Sequence, residues 1–108
     1  MPLSNTQLTE FIQPMLNALP TPARVILFGS YARNEADDGS DVDLLVLANA
    51  FSDKANDYLR LKSALGRSKI GVDLVLMTVT EFEKRAQIPG TLPYWAKKEG
   101  KICYDSLS

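Results

Sequence analysis

Two aspartates, Asp41 and Asp43, stand at the start of an apolar stretch with one residue between them. Side chains in a strand alternate between its faces, so both carboxylates are expected on one face, about 7 Å apart along the strand. Like charges at that spacing repel each other unless a positive charge lies between them. Arg33 is the only basic residue between Arg24 and Lys54, so a divalent cation such as Mg2+, which prefers carboxylate oxygens, is the better partner.

A glycine and a serine, Gly29 and Ser30, precede these acids and follow the β-branched and aromatic run Arg24–Phe28. Such a run ending at a glycine is typical of a buried strand that enters a tight turn. Glycine lets the backbone approach a ligand closely, and a helix after the turn, expected here, would direct free N–H groups and its positive dipole end at a phosphate. The Ser30 hydroxyl would be a further donor. A phosphate site beside a metal site predicts transfer of a phosphoryl or nucleotidyl group.

The order Gly29-Ser30, ten intervening residues, then Asp41-Val42-Asp43 resembles the signature of the polymerase-beta-type nucleotidyltransferase superfamily, specifically its small minimal nucleotidyltransferase (MNT) branch. The resemblance covers about residues 24–105. It implies an α+β (α/β) fold of the nucleotidyltransferase type, a small mixed sheet of about four strands packed with helices. One departure is Asn34, where such proteins often have glycine. Asparagine also tolerates the left-handed conformation, so the turn is expected to survive.

A third acid, Asp73, interrupts the apolar run Ile70–Met77, which predicts the third strand. An acid in a central buried strand is costly unless it is paired or bound to a metal. If this strand lies beside the one that carries Asp43, Asp73 joins the other two acids, and the superfamily resemblance also places an acid there. The alternative is a salt bridge between Asp73 and Lys69 or Arg67. We favour the catalytic interpretation because two other acids are already predicted nearby.

Together these residues predict the chemistry of the site. Two Mg2+ ions held by Asp41 and Asp43, one of them also by Asp73, would clamp the attacking and leaving oxygens of an in-line displacement at the α-phosphate of ATP, and pyrophosphate would leave. Asp73 could also orient or deprotonate the acceptor hydroxyl. Gly29 and Ser30 would hold the β and γ phosphates. Two weaker candidates for nucleotide contacts are Arg33, which either adds charge to the phosphates or has no role, and Ser40, a cap or a ligand-facing hydroxyl. Asp37 and Asp38 are interpreted as solvated.

Helices are expected around this centre. Residues Ser4–Leu19 predict an amphipathic helix capped by Ser4 or Thr6, which Pro14 would bend or divide. Its apolar stripe is Leu8, Phe11, Ile12, Met15, Leu16 and Leu19. Residues Phe51–Leu65 predict a second helix, with Ser52 as cap and Gly66 at its end. Its apolar side is Tyr58, Leu59, Leu61 and Leu65. The basic residues along and after this helix are interpreted as a solvated face rather than a phosphate-binding rim: Arg60, Lys62, Arg67 and Lys69.

The last part of the chain predicts two short helices and a strand. Thr80 is expected as the N-cap of the first helix, with Glu83 completing a capping box. Leu92–Glu99 predicts the second, closed by Gly100, and Lys101–Tyr104 an edge strand.

Composition limits the function further. With 108 residues and 45% hydrophobic content, the whole chain is expected to form one domain, residues 1–108. Twelve basic and 13 acidic residues leave a net charge of −1, so strong nucleic-acid binding is not expected. Histidine is absent, which excludes imidazole as ligand or base, and the single cysteine, Cys103, fits a reducing cytoplasm. Neither a signal peptide nor a membrane span is indicated.

The acceptor is suggested by resemblance only. Minimal proteins similar to this one usually act with a helical partner of the HEPN type, an RNase toxin, and serve as antitoxins by transferring AMP to a tyrosine of that toxin. A non-catalytic antitoxin or regulatory subunit that binds nucleotide and neutralises its partner by contact is the competing interpretation. A small antibiotic adenylyltransferase is a third, disfavoured because an acceptor-binding domain is not evident.

Overall fold

Four strands form one mixed sheet in the computed structural model, which describes residues 2–20, 22–66 and 70–107. They are β1 (Ala23–Phe28), β2 (Val42–Ala48), β3 (Val72–Thr78) and β4 (Lys101–Asp105). The strand order is β3-β2-β1-β4, in which β1 runs antiparallel to both β2 and β4, and β2 and β3 are parallel. The predicted small mixed sheet is confirmed, and so is the edge position of the last strand.

In the described ranges, four helices cover the two faces of the sheet: α1 (Asn5–Asn17), α2 (Lys54–Leu65), α3 (Val79–Arg85) and α4 (Leu92–Glu99). Alternate residues of β2 enter two different cores. Leu44 and Val46 pack with α1 and α2, whereas Leu45 and Leu47 pack with α3 and α4. Because side chains alternate along a strand, Asp43 lies on the α3 and α4 face.

The first helix follows its predicted pattern. Ser4 is the N-cap, and its side chain and that of Gln7 form a reciprocal capping box. Leu8, Ile12 and Met15 are buried, and the rest of the predicted apolar stripe packs against the same core while partly exposed. Pro14 was predicted to bend this segment or to divide it; division is wrong, because the helix continues past Pro14, and the bend stays a prediction.

Two helix starts were predicted at the wrong residue. Asp53, not Ser52, caps α2 by accepting a hydrogen bond from the backbone of Asn56. Thr78, not Thr80, caps α3, and Glu81, not Glu83, completes its capping box. The sequence contains two overlapping Thr-x-x-Glu patterns, and local capping rules do not choose between them. Pairing of β3 with β2 extends to Thr78, so the helix begins directly where the strand ends.

The predicted apolar side of α2 is only half right. Leu61 is buried and Leu65 packs on the core, but Tyr58 is 36% exposed and Leu59 is 62% exposed. The buried position one residue before Tyr58 is an acid, Asp57, whose carboxylate accepts a 2.7 Å hydrogen bond from the guanidinium of Arg60. Because the ion pair with Arg60 compensates the buried carboxylate, α2 can place Asp57 on its inward face.

Two basic residues of α2, Arg60 and Lys62, donate hydrogen bonds to backbone carbonyls of other elements. Arg60 also donates to the backbone carbonyl of Ala18, at 3.2 and 3.3 Å, which ties α2 to the end of α1. Lys62 donates from Nζ to the carbonyl oxygen of Val72 at 2.7 Å. They are therefore neither a simple solvated face nor a free phosphate-binding rim. Arg67 and Lys69 lie outside the described residues. Over the ranges that are described, no helix combines the length and apolar character needed to cross a membrane.

Candidate active site

The parallel pairing of β2 with β3 places two of the predicted acids side by side. Asp43 and Asp73 are register partners in this pair, and neighbouring strands lie about 4.8 Å apart. Both residues occupy equivalent positions in register, so their side chains leave the same face of the sheet. When Asp43 carries its proton, its carboxyl group forms a hydrogen bond with the side chain of Asp73. Asp41, just before β2, contributes a third negative charge that acts on Asp43.

The ionisation of Asp43 reflects this crowding. Partial burial, the hydrogen bond with Asp73 and the negative charges of Asp73 and Asp41 together raise the pKa of the Asp43 carboxyl from 3.8 to about 6. The positive charge of Arg33 opposes the rise. Burial and like charges both disfavour the ionised form, so an added cation would be stabilised at this position.

Two glycines make room for these carboxylates. Gly29 has φ +74°, and a Cβ there would collide with a carboxylate oxygen of Asp43 and lie 3.0 Å from its Cγ. A Cβ at Gly71 would collide in the same way with a carboxylate oxygen of Asp41. Gly29 was predicted to let the backbone approach a ligand closely. In the structure, the group that lies close to Gly29 is the carboxylate of Asp43. Gly71 was missed, although an isolated glycine in a strand pattern signals a close approach of this kind.

The segment after Gly29 differs from the prediction. Residues 30–34 form hydrogen-bonded turns, in which the N–H groups of Ala32 and Arg33 both donate to the carbonyl of Gly29 at 3.1 and 3.2 Å. The expected helix is therefore absent from this described segment, and its dipole does not act on the site. Asn34 has φ +58°, which confirms that it takes the left-handed conformation. The buried Tyr31 anchors these turns through its hydroxyl, which accepts a hydrogen bond from the N–H of Leu3 at 3.1 Å.

The two weaker candidates for nucleotide contacts have different surroundings. Arg33 is 41% exposed and forms ion pairs with Glu35 at 3.1 Å and Glu99 at 3.6 Å. The hydrogen bond to Glu35 is the largest of the effects that raise the pKa of Arg33. The Ser40 hydroxyl donates to Asp37 Oδ1 at 3.1 Å and accepts from the Asp37 N–H at 2.9 Å. Asp37 was interpreted as a solvated acid, but it stabilises a loop through these two hydrogen bonds with Ser40.

Asp73 was expected in a central buried strand, and this expectation is wrong. β3 is an edge strand and Asp73 is exposed, so the cost of burying an acid does not explain its presence. Its position beside Asp43 was nevertheless predicted, and the pairing of β2 with β3 confirms that neighbourhood. The described part of the chain holds no group of three acidic, histidine or cysteine side chains arranged as a ready-made metal site. Metal binding by the three aspartates therefore stays a prediction, for which their carboxylate oxygens are the appropriate ligands.

The mixed sheet, with two adjacent acids beside a Gly-Ser turn, agrees with the nucleotidyltransferase fold that the resemblance implied. Comparison with protein families confirms this assignment, because the model of the nucleotidyltransferase domain family matches residues 8–100. The chain belongs to that family. A comparison with curated proteins found no match.

Two solved structures have a similar fold. One is a Sulfolobus solfataricus protein that carries a provisional assignment as a nucleotidyltransferase, with a TM-score of 0.59 and 20% identity over 92% of this chain and 78% of that chain. The other is a toxin–antitoxin crystal structure with AMP-PNP, with a TM-score of 0.58 and 23% identity over 92% of this chain and 74% of that chain. Both similarities extend over nearly the whole chain, and at this level of identity they concern the fold.

Proposed function

We propose that this protein transfers AMP from ATP to a hydroxyl group of a partner protein, and that it acts as an antitoxin by modifying a tyrosine of a HEPN-type RNase toxin. The observation that carries the transferase part is the register pairing of Asp43 with Asp73, which brings acids from two strands together on one face. Membership of the nucleotidyltransferase domain family supports the reaction class. The resemblance to the MNT branch supports the acceptor, as does a structural neighbour described as a toxin–antitoxin with AMP-PNP.

The three acids share one role in this proposal, and Asp73 has a second. Asp41, Asp43 and Asp73 would hold Mg2+, two ions in all, which would supply positive charge to the triphosphate. Asp73, on the exposed edge strand, would orient the acceptor hydroxyl and accept its proton. The hydroxyl oxygen then forms a bond to the α-phosphorus, the bond from that phosphorus to the β-phosphate oxygen breaks, and pyrophosphate leaves.

The turn beside the acids would bind the phosphates. Gly29 approaches the Asp43 carboxylate closely, so a phosphate bound to the backbone or hydroxyl of Ser30 would lie next to the acids. Arg33 is within electrostatic reach of Asp43 and would contribute positive charge to the phosphates, although its two glutamate partners reduce what is available. The Ser40 hydroxyl donates its hydrogen bond to Asp37, so we assign Ser40 to stabilising the loop rather than to binding the nucleotide.

A second candidate is an antitoxin that binds nucleotide without transferring it. The observation in its favour is that the described residues hold no ready-made group of three metal-binding side chains. Against it, a protein that only binds nucleotide needs no acids in register on adjacent strands. The two candidates differ in one product, the covalently modified partner.

The deciding experiment uses ATP labelled at the α-phosphate, Mg2+, and the partner protein that co-purifies with this chain or is encoded beside it. Label on the partner, lost in Asp41→Asn and Asp43→Asn but retained in Glu10→Gln, an exposed acid of α1, supports the proposal. Peptide mapping of the labelled partner then identifies whether a tyrosine is modified. Stable binding of ATP and partner without label supports the second candidate and contradicts the first.

A further inference from the structure

A cavity of about 440 Å3 opens beside the acids on the α3 and α4 face of the sheet. Its lining comes from the end of β1, the turn that follows and helix α4: Phe28, Gly29, Arg33, Leu92, Trp95 and Glu99. This volume falls within the range of about 300–1,000 Å3 that is usual for small-molecule sites. None of the phosphate or metal roles proposed above accounts for its aromatic wall.

The wall of this cavity is mostly apolar, and its main feature is the indole of Trp95. Trp95 is the only tryptophan of the chain, and it is 45% exposed. The ring of Tyr94 packs edge-on against it, with the centroids 5.2 Å apart and the planes at 86°, and the ammonium of Lys98 lies 5.6 Å from its centroid. Both neighbours lie outside the cavity lining, so they hold the indole in position without being part of the wall.

The cavity is joined to the acids through one residue. Gly29 lines the cavity and also lies directly against the carboxylate of Asp43. Phe28, in the same wall, is the register partner of Asp43 across β1 and β2. A ligand with phosphates at the turn and the acids would therefore have its other end directed into a space with an aromatic wall. Arg33 and Glu99, paired at 3.6 Å, are the charged members of the lining and offer donors and an acceptor to the edge of that ligand.

We propose that this cavity binds the base of the nucleotide and that Trp95 stacks on it. The inference rests on the proposed function, because it places the base of the same ATP molecule whose phosphates the turn would bind. Every base has a π face, and stacking on an aromatic side chain gives affinity without requiring a particular pattern of hydrogen bonds. A purine covers more of an indole than a pyrimidine does, so purine nucleotides bind more tightly here.

Fluorescence of the single tryptophan tests the proposal directly. The full-length protein is titrated with ATP and Mg2+, with adenosine, and with inorganic tripolyphosphate and Mg2+. ATP and adenosine are expected to change the emission of Trp95, whereas tripolyphosphate leaves it nearly unchanged. Equal changes with ATP and tripolyphosphate, or no change with either base-containing ligand while ATP binds by calorimetry, would overturn the proposal.

Calorimetry on variants gives an independent measurement. Trp95→Ala should raise the Kd for ATP about 5- to 150-fold and leave the Kd for tripolyphosphate unchanged, because stacking on one base contributes about 1–3 kcal/mol. Trp95→Phe, which keeps a smaller ring, should lie between Trp95→Ala and the wild type. Leu59→Ala, which removes an exposed apolar side chain on α2, should bind ATP as the wild type does. Unchanged ATP affinity in both Trp95 variants would overturn the base site.

The outcomes separate this inference from the proposed function. ATP binding that depends on Trp95 without transfer of label supports the base site and contradicts the transferase proposal. Transfer of label by Trp95→Ala with an unchanged KM for ATP supports the transferase proposal and contradicts the base site. Loss of partner binding by Trp95→Ala without loss of ATP affinity also contradicts the base site and would make this surface a protein-docking site. A wild-type protein that does not bind ATP contradicts both.

Discussion

Asp43 and Asp73 face one another across the parallel β2 and β3 strands, and the protonated carboxyl of Asp43 forms a hydrogen bond with the side chain of Asp73. Helix α2 separates the two strands along the chain, so this contact is a product of the fold. Partial burial, followed by this contact and the charges of Asp73 and Asp41, raises the pKa of Asp43 to about 6, because each disfavours the ionised carboxyl.

The first prediction is that the metal-free protein loses stability as pH rises through about 6. The pKa of Asp43 is about 6 in the folded protein against 3.8 for its reference value, so the folded state binds this proton more tightly than the unfolded state. The stabilisation is full below about pH 4 and is lost as the pH passes the folded pKa. Because Asp43 is partly exposed and solvent screens it, we expect about 1 kcal/mol. Urea unfolding in the presence of a chelator at pH 4 to 8 measures the effect.

The variant Asp43→Asn isolates this contribution from other titrating groups. It should be more stable than the wild type by about 1 kcal/mol at pH 7, with the difference shrinking towards pH 4. Glu10→Gln, an exposed acid on α1, should leave the wild-type profile unchanged. If Asp43→Asn is less stable than the wild type at pH 7, the prediction is wrong, and the Asp43 carboxylate stabilises the folded state.

The second prediction concerns Asp73→Asn. ATP and Mg2+ should still bind, because Asp41 and Asp43 remain, but transfer should fall by at least about 100-fold if Asp73 accepts the proton of the acceptor hydroxyl. The pKa of Asp43 should also fall, since the hydrogen bond and the charge of Asp73 both raise it. Initial rates of transfer and NMR titration of the Asp43 carboxyl check the two parts. Undiminished transfer would remove Asp73 from the chemistry, and Glu83→Gln serves as an exposed-acid control.

The third prediction compares two glycines that share a positive φ. Gly29 has φ +74° and Gly66 has φ +72°, but of the two only Gly29 would bring a Cβ into collision with a described residue, through the Asp43 carboxylate. Both Gly→Ala changes should cost about 1 kcal/mol for the left-handed backbone. Gly29→Ala should cost about 1–3 kcal/mol more and abolish transfer, because the Asp43 side chain must move. Thermal unfolding and transfer assays of the pair test this, and equal losses of stability would show that the turn has room to adjust.

The fourth prediction separates the two serines near the site. Ser30→Ala should weaken ATP binding with little change in stability, because its hydroxyl is proposed to contact phosphate. Ser40→Ala removes two hydrogen bonds with Asp37 and should destabilise the loop by about 0.5–1.5 kcal/mol, with a smaller effect on ATP affinity. Calorimetry with ATP and urea unfolding, applied to both variants, give the comparison. The reverse pattern would return Ser40 to the nucleotide site and exclude Ser30.

The sequence predicted local structure reliably where the deciding interactions act over only a few residues. The apolar strands, the amphipathic α1 and the left-handed Asn34 follow from side-chain alternation, helical spacing and backbone sterics, which act over a few residues. Helix boundaries were less reliable. Overlapping Thr-x-x-Glu patterns make two starts of α3 locally equivalent, and strand pairing selects Thr78. The exposed Tyr58 on α2 shows the same limit, because a buried ion pair involving Asp57 occupies the inward position.

The sequence by itself predicted that Asp41 and Asp43 share one face, and it determined that Gly29 and Ser30 precede them, because both statements concern neighbours along the chain. Only the tertiary structure decided that β3 lies at the edge in register with β2, that Gly71 admits the Asp41 carboxylate, and that Trp95 forms a wall beside Gly29. These contacts join segments that are distant in sequence. Their geometry depends on how strands pair and helices pack, which no local propensity specifies.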